Sequence, residues 1–164
     1  MKEQILADLT ADLRHIRECF ERSTRNLTEE DSEFAPAPGM FTAAQQVAHV
    51  AQTVEWFFEG AFRPEGFSMD WEGMEREVRA VQSLAEARQW LARAFALGEA
   101  AIAAHGSAEW EAALPDGPIM GGAPRFAILH AIRDHTAHHR GALTVYTRLR
   151  GKVPPMPYVD APES

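Results

Sequence analysis

Three histidines lie close together near the end of the chain, in the stretch IRDHTAHHRGAL at residues 132–143. His135 and His139 are four residues apart, and in a helix this spacing places two side chains on one face, one turn apart. Such a pair presents two ring nitrogens to a common point, which is how many helices bind a metal ion. In a chain with seven histidines the spacing also arises by chance. Two core histidines that hydrogen-bond to neighbouring helices are therefore an open alternative.

The residues around the pair predict the helix that carries it. This helix runs from about Pro124 to Arg150, and Gly151 and the prolines behind it end it. His138 lies about 100° away from the pair, so we expect it at a helix edge or in solvent. The predicted inward face, spaced by three and four residues, consists of Ile128, Ile132, His135, His139, Leu143 and Tyr146.

A third ligand has to come from another helix, and His49 is the remaining candidate. Thr42 and Gln45 form a capping box that opens a helix, and we expect this helix to end near Gly60. His49 lies about two turns after the cap, beside the apolar face of that helix. The remaining histidines are predicted to lie elsewhere: His15 on a polar flank, His105 as a helix cap and His130 in a structural role.

The rest of the chain predicts an all-α fold. Apolar spacing predicts a first helix over residues 3–25, and Ser83 with Glu86 opens another that ends near His105, with Gly106 as its left-handed terminator. The stretch 62–82 is ambiguous, with a short helical turn in DWEGMEREVRA, and LPDGPIMGGAP predicts a hairpin or an ordered loop. Four long helices favour a four-helix bundle within a single domain, residues 1–164, with residues 151–164 as an extended proline-rich tail. The long link between the second and third helices leaves room for an up-down-down-up order.

Composition excludes several classes of function. The chain has 164 residues, 46% of them hydrophobic and 24% charged, which is typical of a globular domain. Its net charge of −8 argues against a nucleic-acid partner, which requires a basic face. No apolar run predicts a membrane span, and MKEQILADLT lacks a signal-peptide core, so we expect a cytoplasmic protein. Cys19 is the single cysteine, which excludes an internal disulfide.

Two segments together resemble a known family. The capped helix FTAAQQVAHVAQ and the downstream HAIRDHTAHHRGALTVYTRLRGKVPPMP are similar to the DinB/YfiT-like superfamily of proposed metalloenzymes, and the resemblance covers nearly the whole chain. It implies a four-helix bundle with up-down-down-up connectivity and a divalent metal held by three histidines, here His49, His135 and His139. It also implies a homodimer. Characterised relatives include thiol-dependent S-transferases, a maleylpyruvate isomerase and proposed hydrolases, so the resemblance indicates the site better than the reaction.

Three histidines would leave a metal with an open coordination position, as catalytic zinc sites do. Such a metal lowers the pKa of bound water to about 7 and deprotonates a coordinated thiol. We therefore expect an enzyme that acts on a small molecule in stress or detoxification, as a hydrolase or as an S-transferase with a low-molecular-weight thiol. Imidazole suits zinc, nickel and iron alike, so the metal is not predicted. The alternatives are a non-catalytic metal-binding bundle and a metal-free interaction module.

Several residues near the predicted ligands are further candidates. Tyr146 and Arg140 are the candidate catalytic residues, although a core tyrosine and a solvated arginine are the alternatives. Gly141 inside the helix predicts close approach of a neighbouring helix. The aromatic residues 56–58 line a pocket or fill the core. Hydrogen-bond acceptors for the ligand rings are expected in the same segments, among Asp134, Glu55, Gln45 and Gln52.

Overall fold

A computed structural model describes residues 2–159, and over this range the chain forms α-helices and no β-strand. This confirms the predicted all-α class. Two short 3₁₀ turns, Glu29–Asp31 and Arg125–Ala127, precede the second and the last helix. The helices are α1 Lys2–Thr24, α2 Ala43–Phe62, α3 Trp71–Ala80, α4 Leu84–Ala104, α5 Ser107–Glu111 and α6 Ile128–Leu149.

Helix α2 lies at the centre of the fold. It packs along α4 and α6 and also contacts α3, so buried residues occur on most of its circumference. Many of these residues are alanines, which let the neighbouring helices approach closely. Gly98 of α4 serves the same purpose, because a Cβ there would lie 2.6 Å from the ring of Phe58 and 2.8 Å from Leu13. The position of α2 brings its side chains within reach of α6, which carries the histidine pair.

The capping box at the start of α2 is confirmed. The Gln45 N–H donates to Thr42 Oγ1 at 3.2 Å, and the Thr42 N–H donates back to Gln45 Oε1 at 3.0 Å. The predicted end near Gly60 comes two residues early, since α2 continues to Phe62. Gly60 instead gives space to Phe67, because a Cβ at position 60 would overlap that ring.

The prediction that Gly106 ends α4 in a left-handed conformation is wrong. Gly106 has φ −74° and is the N-cap of α5, which begins directly after it. Helix α4 ends through His105, an extended C-cap residue with ψ 138°, which confirms its predicted capping position. The ring of His105 stacks on Phe62 at 3.8 Å and faces Glu109, whose carboxylate also accepts the Gly106 N–H.

The ambiguous stretch 62–82 contains a full helix of ten residues, α3, which is longer than the predicted turn. Asp70 caps it by accepting the Gly73 N–H at 2.9 Å. Gln52 of α2 donates to Met74 O and to Glu77 and so fixes α3 against the bundle. In LPDGPIMGGAP the chain forms turns closed by one isolated bridge, between Ala113 and Pro124, so it is an ordered loop.

A buried carboxylate joins the end of α6 to the loop before α2. Asp31 is 1% exposed and accepts bonds from Arg150 Nε at 2.8 Å, from Lys152 Nζ and from the Thr28 N–H. We call Asp31, Arg150 and Lys152 the Asp31 cluster. The tail beyond it has no regular secondary structure through residue 159, and Asn26 donates to Val153 O at 2.8 Å. Residues 160–164 of the predicted tail lie outside the described range.

None of the helices within residues 2–159 combines the length and the hydrophobicity needed to span a bilayer.

Candidate metal centre

The structure brings His49 of α2 together with His135 and His139 of α6. Their ligand nitrogens all lie within 4.8 Å of one another, and the ring centroids are 4.4 to 4.9 Å apart. We call these three residues the histidine cluster. No fourth His, Cys, Asp or Glu side chain joins them within the part of the chain that the structure describes.

The spacing of the rings suits a tetrahedral metal ion. Two imidazole nitrogens bound at about 2.1 Å to such an ion lie roughly 3.4 Å apart. His49 Nε2 and His135 Nε2 are 3.2 Å apart, so two ligand positions already have the required separation. Three imidazoles are a common donor set for zinc and for other divalent first-row metals.

A hydrogen-bonded chain orients His139. Tyr146 Oη donates to Phe41 O at 2.8 Å and therefore accepts from Gln46 Nε2 at 3.4 Å. This leaves Gln46 Oε1 facing His139 Nδ1 at 2.6 Å, and because an amide oxygen only accepts, His139 Nδ1 carries the proton. The lone pair of His139 is consequently on Nε2. Metal-binding histidines commonly donate their other ring N–H to an acceptor in this way.

The histidine cluster is held neutral. Burial lowers the pKa of His49. Burial and the neighbouring imidazoles lower the pKa of His135 to about 3 and that of His139 to about 4. At neutral pH all three rings therefore have free lone pairs, which is the form of histidine that coordinates metals.

A cavity of about 510 Å³ opens beside the cluster, and His49 and His135 form part of its wall. Four aromatic side chains, from α2, from α3 and from the loop before α2, form a large part of the rest. We call it the aromatic pocket; it is lined by Phe41, His49, Gln52, Thr53, Trp56, Phe57, Trp71, Met74, Glu75, Ala131 and His135. Of the aromatic residues 56–58, the first two line this pocket, and Phe58 lies in the core.

The two candidate catalytic residues have different surroundings. Tyr146 is 2% exposed on the inward face of α6, where its hydroxyl contacts Gln46 and Phe41 O. Arg140 lines a second cavity of about 340 Å³ between α1 and α6, beside His15 and Cys19. There its guanidinium donates to Tyr158 Oη at 3.2 Å and lies over the Tyr158 ring. Tyr146 thus supports the histidine cluster, and Arg140 faces away from the aromatic pocket.

The expected acceptors for the ligand rings have other partners. Gln45 caps α2, Gln52 bonds to α3, and Glu55 accepts from Trp90 Nε1 at 2.7 Å. Asp134 is exposed, as is His138, the latter as predicted.

The acceptor that sequence reasoning missed is Gln46. Its position three residues before His49 places it on the same side of α2, and this spacing could have indicated it.

Gly141 does not have the predicted role, since a Cβ there would meet no atom of a neighbouring helix within 4 Å. The prediction of close helix approach at this position is wrong, because α6 faces solvent there.

Fold and site together define a class of protein: an all-helical bundle with a cluster of three neutral histidines suited to a divalent metal. The sequence profile of the DinB superfamily matches residues 12–143, which is most of the chain. The chain belongs to the DinB superfamily. A search of curated proteins finds no match.

Proposed function

We propose that this protein is a metal-dependent enzyme that acts on a small molecule, with His49, His135 and His139 as the metal ligands. The observation that carries the proposal is the position of the histidine cluster at the wall of the aromatic pocket. Two of the three rings border a space large enough for a small molecule. A purely structural metal site would instead be closed on all sides by protein ligands.

Residues next to the histidine cluster orient its rings. Gln46 holds His139 in the tautomer that exposes Nε2, and Tyr146 holds the Gln46 amide in turn. Thr53 Oγ1 lies 3.4 Å from His135 Nε2, and apolar side chains line much of the cavity beside the rings. A divalent ion at such a site supplies Lewis acidity, which acidifies a coordinated water or thiol.

The two reactions that this chemistry suits are hydrolysis and the transfer of a small thiol to an electrophile. Both use a nucleophile made available at neutral pH, and both fit a role in stress or detoxification. Membership of the DinB superfamily supports the proposal, as do the three histidines at the positions that the resemblance implies. On the same basis we propose an up-down-down-up order of the long helices and a homodimer.

The direct test is the metal content of tag-free protein, measured by elemental analysis. Replacing His49, His135 or His139 singly with alanine is expected to lower bound metal, and His138→Ala is the matched control because His138 is exposed beside the cluster. Stoichiometric metal in the triple alanine variant would refute the assignment.

A second experiment separates an enzyme site from a metal that only joins α2 to α6. Cobalt-substituted protein is titrated with a small thiol while the visible absorption of the metal is followed. An open site changes its spectrum when the thiol coordinates. An unchanged spectrum at saturating thiol would indicate a closed, non-catalytic site.

A further inference from the structure

The walls of the aromatic pocket are a packed set of rings. Trp56 lies at their centre, with ring centroids 4.9 Å from Phe57, 4.8 Å from Phe67 and 5.6 Å from Trp71. The Trp56 indole N–H donates to Ser68 O at 2.8 Å, which fixes the ring orientation. Trp71 is 50% exposed at the first turn of α3 and forms an outer wall. Rings arranged in this way offer both apolar area and π faces to a guest.

Apart from the two imidazoles of the histidine cluster, three polar groups in the wall already have partners. Gln52 Nε2 donates to Met74 O and to Glu77, and Thr53 Oγ1 faces His135. The Trp56 N–H is bonded to Ser68 O. These N–H and O–H groups are already engaged, so we expect the wall away from the histidine cluster to contribute mainly through burial of apolar surface.

The acidic side chain in the pocket wall is paired with an arginine just outside the pocket. No lysine or arginine is among its lining residues in the part of the chain described, and its single carboxylate is Glu75. Glu75 Oε1 accepts from Arg79 Nε at 2.8 Å, and the Arg79 guanidinium also donates to Gly39 O and lies over the Phe41 ring. The charges of Glu75 and Arg79 therefore neutralise each other beside the pocket. Moving an unpaired ionic group of a ligand from water into this apolar space is unfavourable.

We infer that the aromatic pocket binds an uncharged aromatic group of the substrate, packed against Trp71 and Trp56 on the cavity side, with the reacting atom directed toward the histidine cluster. The second half of this inference rests on the proposed function. The first half, the preference for a neutral ring over an anionic one, stands on the pocket alone.

The test compares two ligands with the same ring and different charge by isothermal titration calorimetry on the full-length protein as purified. 2-Naphthalenemethanol is the neutral probe, and 2-naphthalenesulfonate is the anionic probe, chosen because a sulfonate is a poor metal ligand. We expect the alcohol to bind at least tenfold more tightly. Equal or tighter binding of the sulfonate would overturn the inference.

Variants locate the binding. Trp71→Ala is expected to weaken 2-naphthalenemethanol at least fivefold, and Trp71→Phe, which keeps a ring, is expected to retain most of the affinity. Leu97→Ala is the control, because Leu97 is an exposed hydrophobic residue of α4 outside the pocket. Glu75→Gln leaves Arg79 without its carboxylate and is expected to strengthen sulfonate binding. An unchanged affinity in Trp71→Ala would show that the probe binds elsewhere.

His139→Ala separates this inference from the proposed function, because His139 is a proposed metal ligand that does not line the pocket. We expect this variant to lose metal and to bind 2-naphthalenemethanol within about twofold of the parent protein. Retained metal would contradict the proposed ligand set and leave the pocket result intact. Retained metal occupancy in the parent without probe binding would contradict the pocket inference alone.

Discussion

The histidine cluster and the Asp31 cluster both contain residues of α6 or residues directly after it. They differ in charge, because the Asp31 cluster pairs ionised groups and the histidine cluster consists of neutral rings. In the Asp31 cluster one buried carboxylate has two cationic partners from the same chain. In the histidine cluster three rings meet with no carboxylate in the group, and their pKa values are lowered by burial and by one another. The Asp31 cluster contains both signs of charge, whereas the histidine cluster consists of neutral rings that face one another.

This difference shows which site an external ion can stabilise. Burial alone would raise the pKa of Asp31, but hydrogen bonds from Lys152, the Thr28 N–H and Arg150 more than offset it, and the carboxylate stays ionised. The histidine cluster resists protonation and still presents electron pairs at one point, so a metal cation is the partner that fits it.

Metal removal is expected to change stability more than any single substitution at the two clusters. A ligand that binds only the folded state at 100 times its Kd adds about 2.7 kcal/mol. In a protein of this size that corresponds to a Tm shift of roughly 5–10 °C. Thermal unfolding with zinc and with a chelator measures the shift. The histidine triple variant serves as the control and should not respond to zinc.

Asp31→Asn is expected to cost about 2 kcal/mol in the free energy of unfolding, because it removes charge-assisted bonds to a buried group. Arg150 and Lys152 are 40% and 32% exposed, so water can solvate them after the change and limit the loss. Glu30→Gln, an exposed neighbour in the same turn, is the matched control. Urea denaturation measures both. A zinc response in Asp31→Asn that differs from the parent would contradict the independence of the two clusters.

Gln46→Leu removes the acceptor for His139 Nδ1–H and is expected to weaken metal affinity by about 10- to 100-fold. Gln46→Glu keeps an acceptor at that position and should retain the affinity of the parent. Competition with a chromophoric chelator measures the change. Equal affinity in Gln46→Leu and the parent would show that the hydrogen bond does not orient the ligand.

We expect protonation of Asp31 to lower the free energy of unfolding at acid pH. Its folded pKa lies below its ordinary value, so the unfolded chain takes up this proton first as pH falls. The free energy of unfolding therefore falls as the pH drops below about 4. Asp31→Asn should make the curve less steep in this window, where the histidine cluster, with folded pKa values of about 3 and 4 for His135 and His139, still contributes to the slope. Glu30→Gln should keep the slope of the parent. Parallel curves for Asp31→Asn and the parent would refute the assignment.

Gly141→Ala is expected to give the smallest change and to stabilise the protein by about 0.5–1 kcal/mol. The glycine lies inside α6, where alanine restricts the unfolded chain, and a Cβ there meets no atom of a neighbouring helix within 4 Å. Thermal unfolding should show the gain, with metal content unchanged. Destabilisation would imply a contact at this position that the monomer lacks, such as a second copy of the chain.

The sequence predicted the long helices well because their apolar spacing and caps are local. Thr42 and Gln45 fix the start of α2 through bonds within four residues, and such signals need no knowledge of the fold. The helix ends predicted at Gly60 and Gly106 were inaccurate, because glycine occurs at close contacts and at N-caps as well as at helix ends. One gives space to Phe67, and the other caps the next helix.

At the site, the three histidines could be predicted from spacing and resemblance, but their environment could not. Gln46 and Arg140 show why. Gln46 is useful because Tyr146, one hundred residues later in the chain, holds its amide. Arg140 follows His139 directly, yet the helix turns it toward α1 and a different cavity. The contacts of Gln46 and Arg140 both depend on how α1, α2 and α6 pack, and the local sequence pattern does not predict that packing.

The sequence distance within the histidine cluster has a consequence for how the chain assembles. His49 and His135 are 86 positions apart, so their nitrogens meet only after α2 has docked on α6. The visible absorption of cobalt bound by the three rings would therefore appear during refolding only when that docking step has taken place. The rate at which the colour appears would time the formation of tertiary structure separately from helix formation.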